Sequence, residues 1–365
     1  MKIADLIACV EEAAPAAYQE NYDNSGLIVG NPEAECSGVL VSLDVTEAVV
    51  EEAVQKRLNL VFAHHPLVFN GLKRITGKND GGRALISAIK QDIAIAAAHT
   101  NLDNVLDGVN GRMADRLGLT ERSVLLPRSH PMEKLFVFVP VDHADALRDA
   151  LFEAGAGHIG AYSECSFSSE GVGTFKGDPD THPFAGQPGI RHLEREARLE
   201  VIFPATRRQA IVSAMFSHHP YEEVAYDLVS LANPDPKTGS GLIGQLPEAV
   251  AEKDFLRLLK DRFQLEVIRH SPLTGKPVRR VGLCGGSGSF LISKALASRV
   301  DWFVSADIKY HQFFEAGDHM VIADLGHYES EQFTVDLLVD LIRRKFPNFA
   351  VLKTTVLTNP LRYFL

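Results

Sequence analysis

Three apolar runs of this chain each end in residues that bind metals, and this limits its fold more than any other feature. They are 58–65 (LNLVFAHH), 93–103 (IAIAAAHTNLD) and 320–331 (MVIADLGHYESE). A short, unbroken apolar run between turn residues suits a strand buried on both faces. In open α/β sheets, ligand sites gather beyond the carboxyl ends of such strands, where loops aim side chains at one point. Two adjacent imidazoles, an aspartate and a His/Glu pair four apart would together make a nitrogen/oxygen site of five ligands.

The order of elements says how such a site could assemble. From Gly38 the pattern reads as strand 38–43, a helix capped by Thr46 and running to Arg57, strand 58–63, helix 82–91, strand 93–98 and helix 108–118. Strands separated by helices imply βαβ units and a largely parallel sheet. The segment 120–134 (TERSVLLPRSHPMEK), with two prolines and no period, reads as a linker. Then come strand 134–141, helix 144–154, strand 158–167, strand 195–203, helix 207–217 and strand 222–231. That β-α-β-β-α-β order is ferredoxin-like. After a second linker at 232–241 the α/β pattern resumes. It has helix 252–262, strands near 265–269 and 279–284, helix 289–298, strands 301–305 and 320–325, helix 328–345 and strand 349–356. The third ligand cluster lies in this last part. One shared site therefore requires residues 1–128 and 236–365 to form one α/β core domain, with an α+β domain at 129–235 inserted. Two domains are also the natural expectation for 365 residues.

Composition narrows the class. A formal net charge of −10 argues against a large nucleic-acid footprint, though a local basic groove stays open. No run of eighteen apolar residues predicts a membrane span. Ile3, Leu6, Ile7 and Val10 fall at helical spacing among acidic residues, so the N-terminus reads as an amphipathic helix rather than a signal peptide. The four cysteines, Cys9, Cys36, Cys165 and Cys284, form no C-x-x-C pair. Reduced thiols in a cytoplasmic protein are the expectation.

Each cluster has a plain reading beside the chemical one. His64 and His65 leave an extended backbone in opposite directions, and a bend at the strand end could send each toward a different ion. Pro66 favours extended geometry at His65 and stops the strand. The plain alternative is a strand end with solvent-facing histidines. Asp103 offers a hard oxygen, with His99 acting behind the ligands; the alternative is a polar turn in which Asn101, Asp103 and Asn104 satisfy the backbone. Gly326 permits a sharp exit from strand 320–325, and spacing of four puts His327 and Glu331 on one helix face. Otherwise Glu329 and Glu331 merely complement a helix N-terminus.

Joined, the clusters favour ligation. Imidazole and carboxylate suit zinc, iron, manganese, cobalt or nickel. Two ions bridged at about 3.5–4 Å would lower the pKa of a shared water and clamp a substrate oxygen, which predicts hydrolysis. Weaker motifs surround this core. In 281–292 (VGLCGGSGSFLI), amides of Gly286 to Ser289, with Gly286 and Ser287 foremost, could cradle a phosphate, or form only a tight turn. Lys309 and His311 follow strand 301–305 and could meet an anionic substrate, or lie on a solvated loop. Asp23, in the turn 22–26 (YDNSG), is placed to support the site indirectly. A second HHP, at His218-His219-Pro220, lacks a matching aspartate cluster.

Taken as a set, YDNSGL (22–27), SLDVT (42–46), AHHP (63–66), HTNLD (99–103), GGSG (285–288), SADIKYH (305–311) and GHYESE (326–331) resemble the GTP cyclohydrolase 1 type 2 homologues. The tryptophan usual before the Asp-Asn pair is Tyr22 here, a departure touching packing. The resemblance implies His64, His65, Asp103, His327 and Glu331 as metal ligands, Glu331 bridging two divalent ions and the activated water. It also implies a ring-shaped homohexamer. Long members carry an insert similar to PII and CutA trimers, which 155–167 and 219–228 resemble. The catalogued reaction opens the guanine ring of GTP and releases formate. A hydrolase acting on a nucleotide is thus the leading expectation; the alternative is a metal-binding scaffold or regulatory protein whose insert binds effectors or partners.

Overall fold

A computed structural model describes residues 1–128 and 131–364. Contacts divide the chain into two units, Met1–Pro127 with Lys237–Leu365, and Arg128–Pro236. The first unit begins with strands β1 (Gly26–Val29), β2 (Val39–Ser42), β3 (Leu60–Ala63), β4 (Ala94–Ala97) and β5 (Thr120–Pro127). The second holds β6 (Pro131–Pro140), β7 (Ser166–Phe175), β8 (His192–Pro204) and β9 (Tyr226–Pro234). Back in the first unit follow β10 (Gly239–Val250), β11 (Arg269–His270), β12 (Val278–Ser287), β13 (Trp302–Ala306), β14 (Val321–Asp324) and β15 (Val351–Lys353).

A largely parallel sheet was expected, and among the described residues the first unit holds two sheets. One runs β1-β4-β3-β2-β15, the other β11-β14-β13-β12-β10-β5. In the first sheet β4, β3, β2 and β15 are parallel and β1 pairs antiparallel with β4. In the second only β12, β13 and β14 are parallel. Every residue of β2, β3, β4 and β14 is buried, which is why these strands read as unbroken apolar runs. Val39, Val41, Leu60 and Phe62 face the helices Ile3–Ala13 and Thr334–Lys345. Leu40, Val61 and Ile95 face the helices Glu47–Gln55 and Asp80–Lys90. Thr46 does cap its helix, its Oγ1 accepting from the Val49 amide at 3.3 Å.

Several elements differ from the sequence reading. The linker expected at 120–134 begins as β5, which pairs antiparallel with β10. β10 overlaps the linker expected at 232–241 and was not among the expected strands. It forms because β5 and β12 supply ladders on both sides. At Gly244 a Cβ would meet Leu119 Cβ at 2.8 Å, so the glycine marks a close approach rather than a break. The helix expected at 328–345 is two, His327–Glu331 and Thr334–Lys345.

In the second unit the sheet order is β7-β8-β6-β9, antiparallel throughout. β7 starts later than expected and runs through the glycine-containing GVGTF, in register with β8 from Ser166↔Val201 to Phe175↔His192. Leu135, Val137, Val139, Leu199 and Val201 alternate onto one face, where Leu147, Leu151, Ile211 and Met215 from two helices cover them. No helix among the described residues is long and apolar enough to cross a membrane.

Candidate metal centre

The doublet His64-His65 leaves β3 still hydrogen-bonded to the end of β2 and the residue after it: His64 N donates to Ser42 O and His65 N to Leu43 O. This holds both rings at one strand end. His64 is fully buried, and its Nδ1 lies 2.8 Å from the carbonyl of Ala98, beyond β4. A carbonyl only accepts, so Nδ1 carries the proton and Nε2 keeps its lone pair. His65 Nδ1 donates to Asp44 Oδ1 at 2.8 Å, and Asp44 Oδ2 accepts from Thr358 Oγ1 at 2.6 Å. From the other sheet, Gly326 at φ 92° turns the chain out of β14 into the short helix His327–Glu331. His327 Nδ1 donates to Asp307 Oδ2 at 2.7 Å.

These ends meet. Glu331 Oε2 lies 3.0 Å from His65 Nε2 and 3.0 Å from His327 Nε2. Glu331 Oε1 lies 3.8 Å from His64 Nε2, which is 3.6 Å from Asp103 Oδ1. Among the described residues three overlapping donor sets could hold metal: His64 with Asp103 and Glu331, His65 with His327 and Glu331, and His64 with His65 and His99. Glu331 belongs to two of them, one oxygen facing each.

The donors fit a cation. Among the described residues, His64 Nε2 and Asp103 Oδ1 are buried without a hydrogen-bond partner. Each such orphan costs about 1–3 kcal/mol unless something satisfies it. His65 Nε2 and His327 Nε2 are 3.4 Å apart. Two nitrogens each about 2.1 Å from one tetrahedral ion would be separated by about that much.

Electrostatics agree. Burial holds His64 below the usual imidazole value. For His65 burial acts the same way, but Asp44 and Glu331 outweigh it and push the ring up to about 10. Glu331 and Asp307 overcome burial at His327, raising it to about 9. Burial, then the Glu331 charge, raises Asp103 well above the usual carboxylate range. Burial would raise Glu331 too, but the imidazoles gathered round it, His327 foremost, hold it well below. Without metal, protons on two imidazoles supply the positive charge that the carboxylates need.

The structure thus brings His64, His65, Asp103, His327 and Glu331 together, and adds His99, which the sequence placed behind them. Its ring is 5.3 Å from His64 and 5.4 Å from His65. Asp23, its side chain fully buried, accepts from His99 Nδ1 at 2.7 Å and from the Thr100 amide at 2.9 Å. Burial works against the Asp23 charge, but His99 and Thr100 outweigh it and hold the carboxyl well below its usual range. Asp44 and Asp307, which orient His65 and His327, lie in the motifs SLDVT and SADIKYH but were not expected to hold the imidazoles. Both sit one or two residues beyond a strand end, a positional signal that could have found them.

In the glycine turn the Gly286 amide is already taken up within the protein. Gly285 N donates to Asn110 Oδ1, Gly286 N to Ser330 Oγ, and Ser287 Oγ to Asp307. Gly286 has φ +58°, and a Cβ there would come within 2.3 Å of Glu331 Oε1. The turn is tight so that the glutamate fits. Lys309 and His311 are exposed, and among the described residues neither side chain joins the cluster. In the second HHP, His219 has both ring nitrogens occupied, by Phe138 O and the Tyr221 amide.

Comparison with known proteins agrees with the motifs. A Bacillus subtilis protein called GTP cyclohydrolase 1 type 2 homolog is 39% identical over 328 residues, 88% of this chain and 87% of that protein. One of the same name from Halalkalibacterium halodurans is 38% identical over 371 residues, covering 100% of both. The crystal structure of a Bacillus cereus protein related to NIF3 superposes with a TM-score of 0.89 at 37% identity, covering 100% of this chain and 99% of that one. The family described as Duf34/NIF3 (NGG1p interacting factor 3) matches residues 1–360, and the chain belongs to it.

Proposed function

We propose that this protein is a dinuclear metal-dependent hydrolase acting on a nucleotide, with ring opening of GTP and release of formate as the sharpest form of that activity. The observation that carries the reading is the shared Glu331, one oxygen facing His64 and Asp103, the other facing His65 and His327. Two divalent ions per chain would be held by those two sets. When bound, they supply Lewis acidity and an activated water. The rest is work of the chain. Asp44, Asp307 and the Ala98 carbonyl fix the tautomer and direction of three imidazoles. Burial of His64 and Glu331 keeps bulk water from the donors, which strengthens every charge interaction there. His99, aligned by Asp23, can hold or move a proton at Nε2. The name shared by the relatives supports the GTP form, and the family resemblance supports a cytoplasmic homohexamer.

The test is metal-loaded protein incubated with GTP while formate and the proton at position 8 are followed. Formate release that disappears in a folded Glu331→Gln variant is the expected result. Two bound ions without turnover of GTP, other nucleotides or phosphoesters would instead favour a metal-binding scaffold.

A further inference from the structure

A line of ring contacts runs outward from the metal centre to the surface. His99 touches Phe69 edge-on at 5.9 Å between centroids, and Phe69 touches Tyr22 at 6.0 Å. Tyr22 is 63% exposed and Phe69 40%, so neither serves as core. Both are held in place. Asn24 Nδ2 donates to Val68 O at 2.6 Å, tying the loop 66–79 to the turn that carries Tyr22 and the buried Asp23. Exposed aromatic faces beside a reactive centre are suited to stacking a planar ring.

Charge on the same loop points the same way. In a chain of net charge −10, residues 66–79 (PLVFNGLKRITGKN) hold Lys73, Arg74 and Lys78 and no acidic residue. All three cations are exposed, and among the described residues none has an ion-pair or hydrogen-bond partner. Such a local reversal of sign attracts an anion. The far side of the centre does not. A cavity of about 240 Å³ there is lined by Asp307 and Asp324, and the two basic groups in its wall, Arg269 and His327, are already paired with those aspartates.

We propose that Tyr22 and Phe69 form the ledge on which the planar base of a nucleoside polyphosphate stacks, with its phosphates on Lys73, Arg74 and Lys78. This rests on the reading of the centre as a nucleotide hydrolase and names how that substrate is held. The base edge then faces His99 and the metal ligands, while the phosphates point away from them.

The test is calorimetric titration of the metal-loaded protein with guanosine and with GTP. Tyr22→Leu combined with Phe69→Leu is expected to weaken both ligands by about tenfold, within the range of one lost stacking contact. Replacing Lys73, Arg74 and Lys78 by serine is expected to weaken GTP by a similar factor, leave guanosine unchanged and flatten the salt dependence of GTP binding. All five side chains are on the surface, and an unchanged circular dichroism spectrum and metal content verify the fold. Native affinity for GTP in both variants, or no GTP binding by the native protein at millimolar concentration, overturns the ledge. Binding that responds as expected without formate release leaves the ledge standing and removes the hydrolase. Formate release with KM unchanged in both variants does the reverse.

Discussion

His65 and His327 face each other, Nε2 to Nε2, at 3.4 Å although 262 residues separate them in the chain. Each ring is held from behind by its own aspartate, Asp44 or Asp307. Each also lies 3.0 Å from the same oxygen of Glu331. Two imidazoles are thus pressed together by three carboxylates, an arrangement that needs positive charge between them, as protons or as metal.

The choice between proton and metal makes uptake pH-dependent. With His65 at about 10 and His327 at about 9 in the metal-free protein, both rings are protonated at neutral pH and must lose those protons to ligate. Metal affinity should then rise by about 100-fold per pH unit below pH 9, one factor of ten per proton released. Stability of the metal-free protein should move oppositely. Both folded values lie above the ordinary 6.5, so the charged pairs stabilise fully below 6.5, and that contribution is lost as pH rises through 9 to 10. Titrations with a metal-sensitive dye, and melting with and without chelator, check both slopes; an affinity flat from pH 6 to 9 contradicts the picture.

Glu331→Gln removes the one carboxylate common to both donor sets. Bound metal should fall from about two ions per chain to fewer than one, as counted by elemental analysis. The His65 and His327 values should drop toward neutrality, visible by NMR, because their shared anion is gone.

Asp44→Asn and Asp307→Asn keep shape but weaken the hold on one imidazole each. Loss of such a supporting carboxylate lowers metal affinity by about 10–100-fold. Thr358→Val should act on the same ring as Asp44→Asn, more weakly, since Thr358 only secures Asp44. Competition with a chelator of known affinity measures all three.

Gly286→Ala places a methyl 2.3 Å from Glu331 Oε1 at a φ of +58°. The left-handed backbone alone costs about 1–2 kcal/mol for a residue with a side chain. The clash should add loss of metal to that cost. Gly275→Ala is the control: its φ is +75° with nothing within 4 Å, so melting temperature should fall while metal content stays native.

Glu52 clasps the chain just beyond β15, accepting from the Thr355 amide at 3.0 Å and Thr355 Oγ1 at 2.7 Å, and pairing with Lys56 at 2.6 Å. Burial opposes its charge, but Lys56, Thr354 and Thr355 outweigh it and hold the carboxyl at about 2. A depressed folded value stabilises above the ordinary 4.5, and the contribution is lost as pH falls from there through 2. Glu52→Gln should cost about 1–3 kcal/mol. Amide exchange in β15 should quicken both in this variant and in acid.

How far the chain could be read locally depends on the element. The strands ending at Ala63, Ala97 and Asp324 were legible because burial on both faces leaves an apolar run that needs no partner to be recognised. The Thr46 cap and the Gly326 exit were legible for the same local reason. β10 was not, since a strand rich in glycine is made by its neighbours. The division of the parallel strands into two sheets was not either, because no periodicity states which strand lies beside which.

The amino-acid order alone determined which donors the protein owns and that each stands at a strand end, because apolar runs and turns are properties of adjacent residues. Only the tertiary structure decided that Asp44 holds His65, that Asp307 holds His327, that His99 joins the cluster and that the Gly286 amide serves Ser330 rather than a phosphate. Those pairings depend on how two separate sheets bury their faces, and burial is settled between residues hundreds of positions apart.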